Sequence, residues 1–206
     1  MKRVQKKSSD GEGGSAKPNA IVLAGLQLFT RYGYRKTSVD EIARVAQVAK
    51  RTVYLHFENK AAVFLAILEY LADRVRQRCA AAENADGTAV ERLTGLLDAY
   101  FGMGFEFFGK SEHMPELKET FSKLARTRIG DFNTEYENRL AKFLRSLEKA
   151  GDIGRPPQGL TVEQLVHILI RTAEGAKHDP EIQGDRRALD RRLRELAILA
   201  IAAMKN

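Results

Sequence analysis

Hydrophobic residues recur along most of the chain at spacings of three and four residues, which is the period of an α-helix. In the segment 185–204, for example, Leu189, Leu193 and Leu196 would lie along one side of a helix. No run of several residues has the strict apolar–polar alternation that is typical of a half-buried strand. The pattern therefore predicts an all-α protein.

Capping residues, glycines and prolines mark where the predicted helices begin and end. The first helix is expected to start near Pro18, because proline fits a first helical turn, and to stop at Gly33. Ser38 and Glu41 have the spacing of a capping box, which starts a second, short helix. Further helices are predicted at about 50–55, 59–82, 88–109, 116–150 (two helices if it breaks near Gly130), from a capping box at Thr161, and at 185–204.

Positive charge is concentrated towards the N-terminus. The 206 residues carry a formal net charge of +7. Residues 1–60 hold 12 basic and five acidic side chains, whereas residues 61–206 hold 22 of each. This arrangement favours an N-terminal module that binds a polyanion, joined to an electrically balanced body.

Composition narrows the class of protein and its compartment. Hydrophobic residues make up 44% of the chain, and no apolar run approaches the roughly 20 residues that span a bilayer. A single cysteine, Cys79, excludes an intrachain disulfide and a multi-cysteine zinc site. Glu163 and His167 lie one helical turn apart, but no third metal ligand accompanies them. We expect a cytoplasmic protein that uses no membrane contact, metal or cofactor.

The segment 38–55 has the pattern of a helix-turn-helix. Two short predicted helices are separated by a tight turn and follow a longer helix. The small residues Ala43 and Ala46 would let the two short helices approach closely. Lys50 and Arg51 would then face outward, where their donors suit phosphate oxygens and guanine edges. On charge alone, a solvated basic face on an ordinary helical bundle is an equally good interpretation.

The residues of this segment also resemble the DNA-binding domain of TetR-family transcriptional repressors. The resemblance covers about residues 20–62, and the remainder matches that family only in length and helical pattern. It implies an N-terminal three-helix DNA-binding domain and a C-terminal helical bundle. The matching positions are Ala24, Leu28, Phe29, Gly33, Thr37, Ser38, Ile42, Ala43, Ala46, Val48, Lys50, Arg51, Thr52, Val53, Tyr54, Phe57 and Lys60.

The resemblance implies a role on DNA for individual residues. Lys50, Arg51 and Thr52 would form the base-reading end of the recognition helix, with Arg51 as the candidate for a bidentate guanine contact. Phe29 and Phe57 would be core residues. The contacts to phosphates that fix the register would come from Thr37, Tyr54, His56 and Lys60.

Two positions depart from the family's pattern. Gln47 stands where the turn usually has a glycine, and Ala49 stands where a hydroxyl residue usually caps the recognition helix. The loss of a helix cap costs about 1 kcal/mol. Either this turn is less rigid than in its relatives, or Gln47 itself reaches the DNA backbone.

The predicted organisation therefore has three parts. Residues 1–17 form a flexible basic arm, because they are rich in Lys, Ser and Gly. Residues 18–62 form the helix-turn-helix DNA-binding domain, and residues 63–206 form a helical domain for effector binding and dimerisation. The basic residues of the arm either contact phosphates or a minor groove beside the site, or only keep the chain soluble: Lys2, Arg3, Lys6, Lys7 and Lys17.

The body is expected to form a homodimer and to bind a small molecule. The helices at 161–176 and 185–204 carry more apolar surface than one bundle face needs, and a dimer would present two readers one turn of DNA apart. The resemblance implies an effector, which we expect to be largely apolar. The residues that would line its pocket, or else pack as ordinary core, are Phe101, Phe105, Phe108, Phe121 and Tyr136.

These features predict a ligand-responsive, dimeric DNA-binding repressor of transcription. A small-molecule effector would release it from a double-stranded, palindromic DNA operator. An enzyme is not expected, because a nucleophile–base motif and a phosphate-cradling glycine loop are both lacking in the sequence. The alternatives are a transcriptional activator, an effector-independent architectural DNA-binding protein, and a helical enzyme or small-molecule carrier.

Overall fold

The computed structural model describes residues 13–176, 179–182 and 184–204. Within these ranges the chain forms nine α-helices and no strand, which confirms the predicted all-α fold. Among the described helices, none combines the length and the apolar composition needed to cross a membrane. The helices are α1 Gly13–Tyr32, α2 Val39–Val45, α3 Lys50–His56, α4 Lys60–Glu83, α5 Ala89–Phe108, α6 Met114–Leu124, α7 Arg126–Ala150, α8 Val162–Ala176 and α9 Arg186–Ala203.

The described residues form two compact units. The first contains the residues up to Tyr70 and the segment Glu112–Leu124, and the second contains Leu71–Ser111 and the residues from Ala125 onward. The first unit thus includes the beginning of α4 and the whole of α6. The predicted boundary between residues 62 and 63 lies inside α4, where an uninterrupted helix offers no linker composition to read.

Most helix ends follow the capping chemistry of the sequence. The Ser38 hydroxyl accepts a hydrogen bond from the Glu41 N–H (3.2 Å), and the Glu41 carboxylate accepts one from the Ser38 N–H (2.8 Å). The hydrogen bonds that the Glu41 carboxylate accepts from the N–H and the hydroxyl of Ser38 lower the pKa of Glu41. Gly33, directly after α1, has φ +84°, a conformation that glycine adopts without a Cβ penalty. Before α8, the Gln164 N–H donates to the Thr161 hydroxyl at 3.2 Å. The predicted ends at these three positions are confirmed.

Two predicted helix limits are wrong. α1 begins at Gly13 rather than near Pro18, so Pro18 lies inside the helix, where its missing N–H leaves one intrahelical hydrogen bond unmade. The 116–150 stretch breaks at Ala125 rather than at Gly130. Ala125 is buried with φ −140°, whereas Gly130 lies inside α7 with open space around it. An exposed glycine within a helix lowers its stability without ending it.

The first unit is built around a core to which α1, α2 and the start of α4 contribute. Ile21, Ile42 and Val63 are completely buried. Gly25 permits a close approach of α1 and α4, because a Cβ at this position would lie 2.9 Å from Cγ1 of Val63. Four aromatic rings extend this core, with centroids of neighbouring rings 4.9–5.8 Å apart: Phe29, Tyr34, Phe64 and Phe121.

The second unit is organised by the packing of α5 against α9, with α8 packed against both α7 and α9. Leu93, Leu96 and Leu193 are completely buried in it. The hydroxyl of Tyr136 on α7 donates to the Leu96 carbonyl of α5 at 3.0 Å. Burial raises the pKa of Tyr136, so this phenol stays protonated and remains a donor.

The turn between α2 and α3 is a Schellman motif with glutamine in its left-handed position. The N–H groups of Gln47 and Val48 donate to the carbonyls of Arg44 (3.2 Å) and Ala43 (3.0 Å). Gln47 has φ +55°, and within the described ranges it is the one non-glycine residue with a positive φ. A left-handed conformation costs a residue with a Cβ about 1–2 kcal/mol. The backbone is therefore strained at Gln47, the position where the resemblance leads us to expect glycine.

The variant Gln47→Gly is expected to stabilise the first unit by about 0.5–1 kcal/mol, because the relief of strain exceeds the larger entropy that glycine loses on folding. Urea unfolding of the variant and the parent protein measures the difference. The control Gln47→Ala removes the same side chain but keeps the Cβ, and should bring no gain. Equal stability of the two variants would contradict the assignment of strain to this turn.

Candidate nucleic-acid interface

One side of helix α3 packs against the rest of the first unit, and the opposite side is exposed. It packs against α1 and α2, and Val53 on its inner side is 1% exposed. On its outer side Arg51 and His56 are exposed, Tyr54 is 49% exposed and Leu55 is 71% exposed. The first unit thus presents a short helix whose accessible side carries a guanidinium, a phenol and an imidazole, which are groups that donate to phosphates and base edges.

Lys50, a predicted base-reading residue, pairs with α2. Its Nζ lies 2.9 Å from Oδ2 of Asp40, and this hydrogen bond raises the pKa of Lys50. Both side chains are more than half exposed (53% and 64%), so water weakens the pair. A phosphate or a base can therefore compete with Asp40 for the ammonium group.

The beginning of α3 lacks a side-chain cap, as Ala49 in the sequence indicated. Ala49 has an extended backbone and its side chain makes no capping hydrogen bond. The Ala49 carbonyl instead accepts the N–H of Thr52 at 2.8 Å. Thr52, also predicted to read bases, is half-buried in this first turn. The α3 terminus is therefore ordered by backbone hydrogen bonds and by packing.

Lys60, a predicted phosphate contact, directs its ammonium group into the loop between α1 and α2. Its Nζ donates to the carbonyls of Tyr34 (2.7 Å) and Thr37 (2.8 Å), and lies 4.5 Å from the centroid of the Tyr34 ring. Partial burial lowers the pKa of Lys60. Thr37, another predicted phosphate contact, is 2% exposed, and its hydroxyl donates to the Gly33 carbonyl at 2.8 Å. These two side chains thus fix the loop that precedes α2.

Leu55 belongs to the exposed side of α3 but is absent from the predicted contacts. It follows Arg51 by four residues, which puts both on the same side of a helix. That spacing was a usable signal, although leucine in an amphipathic pattern is ordinarily assigned to the core. Apolar side chains in the major groove contact the thymine methyl group, so Leu55 adds an apolar group to the exposed side.

Helix α6 is tied to the loop between α1 and α2 within the same unit. The Arg35 N–H donates to Glu116 Oε1 at 2.6 Å, and the Arg35 guanidinium donates to Glu119 Oε2 at 2.8 Å. The rings of Phe64 and Phe121 lie 4.9 Å apart. Sequence reasoning missed this tie, because the partners are about 80 residues apart and nothing in their spacing links them.

The five predicted pocket residues do not share one environment. Phe121 belongs to the first unit, where it packs on Phe64, while the other four belong to the second. In the second unit Phe101 and Tyr136 are buried core residues, at 1% and 3% exposure, and Phe105 and Phe108 are half-buried. Their role as a ligand pocket stays a prediction.

The remaining candidates are the possible metal ligands Glu163 and His167 and the basic residues of the predicted N-terminal arm. Within the described part of the chain, no cluster of three or more potential metal ligands occurs. Glu163 forms an ion pair with Arg145, and Nδ1 of His167 lies 3.9 Å from Glu137. Lys17 lies on α1 and is exposed. The other basic residues of the predicted arm lie outside the described residues: Lys2, Arg3, Lys6 and Lys7.

The fold is that of helical transcriptional regulators. The chain is similar to the solved structure of the regulator FadR from Bacillus subtilis in complex with stearoyl-CoA, with a TM-score of 0.64, 19% identity, and 90% of this chain and 98% of that chain covered. It is also similar to a transcriptional regulator from Cytophaga hutchinsonii, with a TM-score of 0.67, 18% identity, and 93% and 100% covered. With the exposed side of α3, this fold defines a helix-turn-helix protein with a helical C-terminal domain.

The family follows from the N-terminal segment. Residues 21–67 match the family of bacterial regulatory proteins named tetR. The regulator RutR of Escherichia coli (strain K12) is 36% identical over 59 residues, which are 29% of this chain and 28% of that protein. The repressor DhaR of Mycobacterium sp. (strain GP1) is 27% identical over 175 residues, 82% of this chain and 85% of that protein. The chain covers only 21–28% of the length of the first relatives it matches. The likeness to the tetR family therefore lies in the N-terminal segment, at residues 21–67.

The variant Lys60→Met is expected to destabilise the first unit by about 1–2 kcal/mol, because the carbonyls of Tyr34 and Thr37 lose a charged donor. Urea unfolding measures the change. The matched control is Lys36→Met, which removes an equal charge from an exposed residue of the same loop and should change stability by less than about 0.5 kcal/mol. If both variants unfold at the same urea concentration, the hydrogen bonds of Lys60 contribute nothing to stability.

Proposed function

We propose that this protein is a ligand-responsive, dimeric, DNA-binding repressor of transcription in the cytoplasm. The observation that carries the proposal is the TetR-family domain at residues 21–67, whose α3 exposes a cationic and donor-rich side. In this proposal α3 enters the major groove of an operator, and an effector bound by the second unit lowers operator affinity. Such an effector acts through its different affinities for the DNA-bound and the free conformation. The chain carries out no catalysis.

DNA is read by the first turns of α3. Arg51 makes the bidentate contact to guanine, and Lys50 and Thr52 contribute the neighbouring base contacts. Tyr54 and His56, both exposed, contact phosphates. Thr37 and Lys60 are assigned to the phosphate side of the interface as well. Since both are engaged with the loop before α2, they act there mainly by holding that loop in register.

Dimerisation uses α8 and α9. Three large aliphatic side chains on these helices are substantially exposed: Ile168 at 50%, Ile198 at 44% and Leu199 at 65%. Their burial against a second copy removes apolar surface from water, at about 25 cal/mol per Å². A two-fold dimer presents two α3 helices to a palindromic operator.

Repression is favoured over activation by DhaR, a relative that matches 82% of this chain and is named a repressor. The effector is assigned to a largely apolar class, in keeping with the stearoyl-CoA named in the FadR structure. The residues of the second unit proposed to meet it are Phe101, Phe105, Phe108 and Tyr136, whereas Phe121 packs in the first unit. Selection of bound fragments from the source genome tests the proposal: symmetric sites upstream of genes support it, and fragments without a common sequence refute it.

Base reading and phosphate binding are separated by two variants of α3. Arg51→Ala is expected to lower affinity for the selected operator by about 1–3 kcal/mol while leaving affinity for random DNA less changed. Tyr54→Phe removes only a hydroxyl and is expected to weaken binding to the operator and to random DNA about equally. Fluorescence anisotropy with operator and scrambled duplexes measures, for each variant, the ratio of its affinities for the two DNAs. A full operator preference in Arg51→Ala would mean that α3 does not read bases through this residue.

The variant Leu199→Glu is expected to convert the dimer into a monomer, because a carboxylate would be buried without a partner at the proposed interface. Analytical ultracentrifugation over a concentration series measures the association. Arg187→Glu, a charge reversal at an exposed site near the start of α9, should leave the dimer intact. A Leu199→Glu protein that sediments like the parent would exclude this side of α9 from the interface.

A further inference from the structure

A groove of about 620 Å³ lies in the second unit, apart from the aromatic residues predicted to bind an effector. It is lined by the end of α4, the first turn of α5 and the middle of α7. Its volume is within the range of about 300–1,000 Å³ that is usual for small-molecule sites. The lining residues are Glu83, Arg92, Glu135, Asn138, Arg139, Lys142, Phe143 and Ser146.

Both carboxylates of the groove are already neutralised. Glu83 accepts two hydrogen bonds from the Arg139 guanidinium, at 2.7 and 2.6 Å. Glu135 accepts two from the Arg76 guanidinium, at 2.8 and 2.7 Å, and these bonds lower the pKa of Glu135. Paired, bidentate geometry of this kind satisfies both oxygens of each carboxylate. The acidic residues therefore do not cancel the charge of the remaining cations.

Two cations of the groove have no carboxylate partner within the described ranges: Arg92 and Lys142. The Arg92 guanidinium lies 5.1 Å from the centroid of the Phe143 ring, and one of its terminal nitrogens donates to the Glu83 carbonyl. Its Nε is buried and makes no hydrogen bond inside the described residues. Burying a cation that has an unpaired donor raises the free energy of the folded protein, and a bound anion lowers it again.

Neutral groups of the groove complete a set suited to an anion. Asn138 is exposed, and one turn separates it from Lys142 on α7. Ser146 follows after one more turn, and its hydroxyl donates to the Phe143 carbonyl at 2.7 Å. The same side of α7 thus carries an amide and an ammonium in successive turns, which can donate to an anion, whereas the hydrogen of the Ser146 hydroxyl is already used.

We propose that this groove binds the carboxylate or phosphate group of a small organic anion, held by Lys142, Arg92 and Asn138. The apolar part of the ligand lies towards Phe143, the one apolar residue among those that line the groove. This site goes beyond the proposed function, because it concerns binding by the second unit alone and does not use the predicted aromatic pocket. Whether its occupant also changes operator affinity rests on the proposed function and is measured separately.

Isothermal titration calorimetry on the full chain without DNA tests the proposal with three probes: decanoate, inorganic phosphate and neutral decanol. Decanoate is expected to bind, and decanol is expected to bind at least about tenfold more weakly, which corresponds to the loss of one charge-assisted hydrogen bond. Binding of phosphate alone assigns the site to the anionic group, whereas decanoate binding without phosphate binding adds the apolar part as a requirement. Equal binding of decanoate and decanol, or no heat from any probe at millimolar concentration, overturns the proposal.

Matched variants of α7 locate the site. Lys142→Gln is expected to weaken decanoate binding about tenfold, and Lys142→Arg should retain it. The control Lys149→Gln removes the same charge from an exposed position two turns further along α7, outside the groove, and should bind as the parent does. If Lys142→Gln also binds as the parent does, the anion lies elsewhere and the proposal is wrong. Operator binding of the same variants is measured in parallel, so that a protein that binds no DNA still gives a result for the groove.

Discussion

Helix α3 is too short to be stable by itself, and this constraint governs the N-terminal unit. It has seven residues, whereas isolated helices shorter than about 12–15 residues are marginal in water. Its N-cap residue, Ala49, makes no side-chain capping hydrogen bond. Its helical form therefore depends on burying Val53 in the core formed with α1 and α2. The exposed side that carries Arg51 and Tyr54 exists only because the opposite side is buried, so the surface proposed to read DNA forms only when this unit folds.

The positive charge of the N-terminal segment has two distinct uses. Arg51 and His56 are exposed on α3, where a polyanion can reach them. Lys60, by contrast, holds two loop carbonyls, and Lys50 is paired with Asp40. An excess of basic residues thus marks the segment that is proposed to bind nucleic acid, but it overstates the number of positive charges that are free to do so. The same distinction appears in the second unit, where Arg139 is neutralised by Glu83 while Arg92 has no carboxylate partner among the described residues.

Local signals predicted local structure well. The capping pairs at Ser38 and Thr161 and the stop at Gly33 depend on residues within four positions of each other, so their geometry can be read directly from the chain. The break near residue 125 could not be predicted in the same way. Gly130 is a weak helix former but an exposed one, whereas Ala125, a strong helix former, is buried with a non-helical φ. Packing decided which of the two interrupts the helix.

The sequence by itself determined the all-helical class, the helix-turn-helix and the match of that segment to the tetR family, because these follow from periodicity and from a compact motif in residues 21–67. Only the tertiary structure decided what each polar side chain does. Thr37 and Lys60 turn into the loop before α2, Glu116 and Glu119 meet Arg35 from about 80 residues away, and the groove gathers residues of three helices. The physical reason is that hydrogen bonds and ion pairs depend on distances in space, and chain folding brings together groups whose separation in sequence carries no signal.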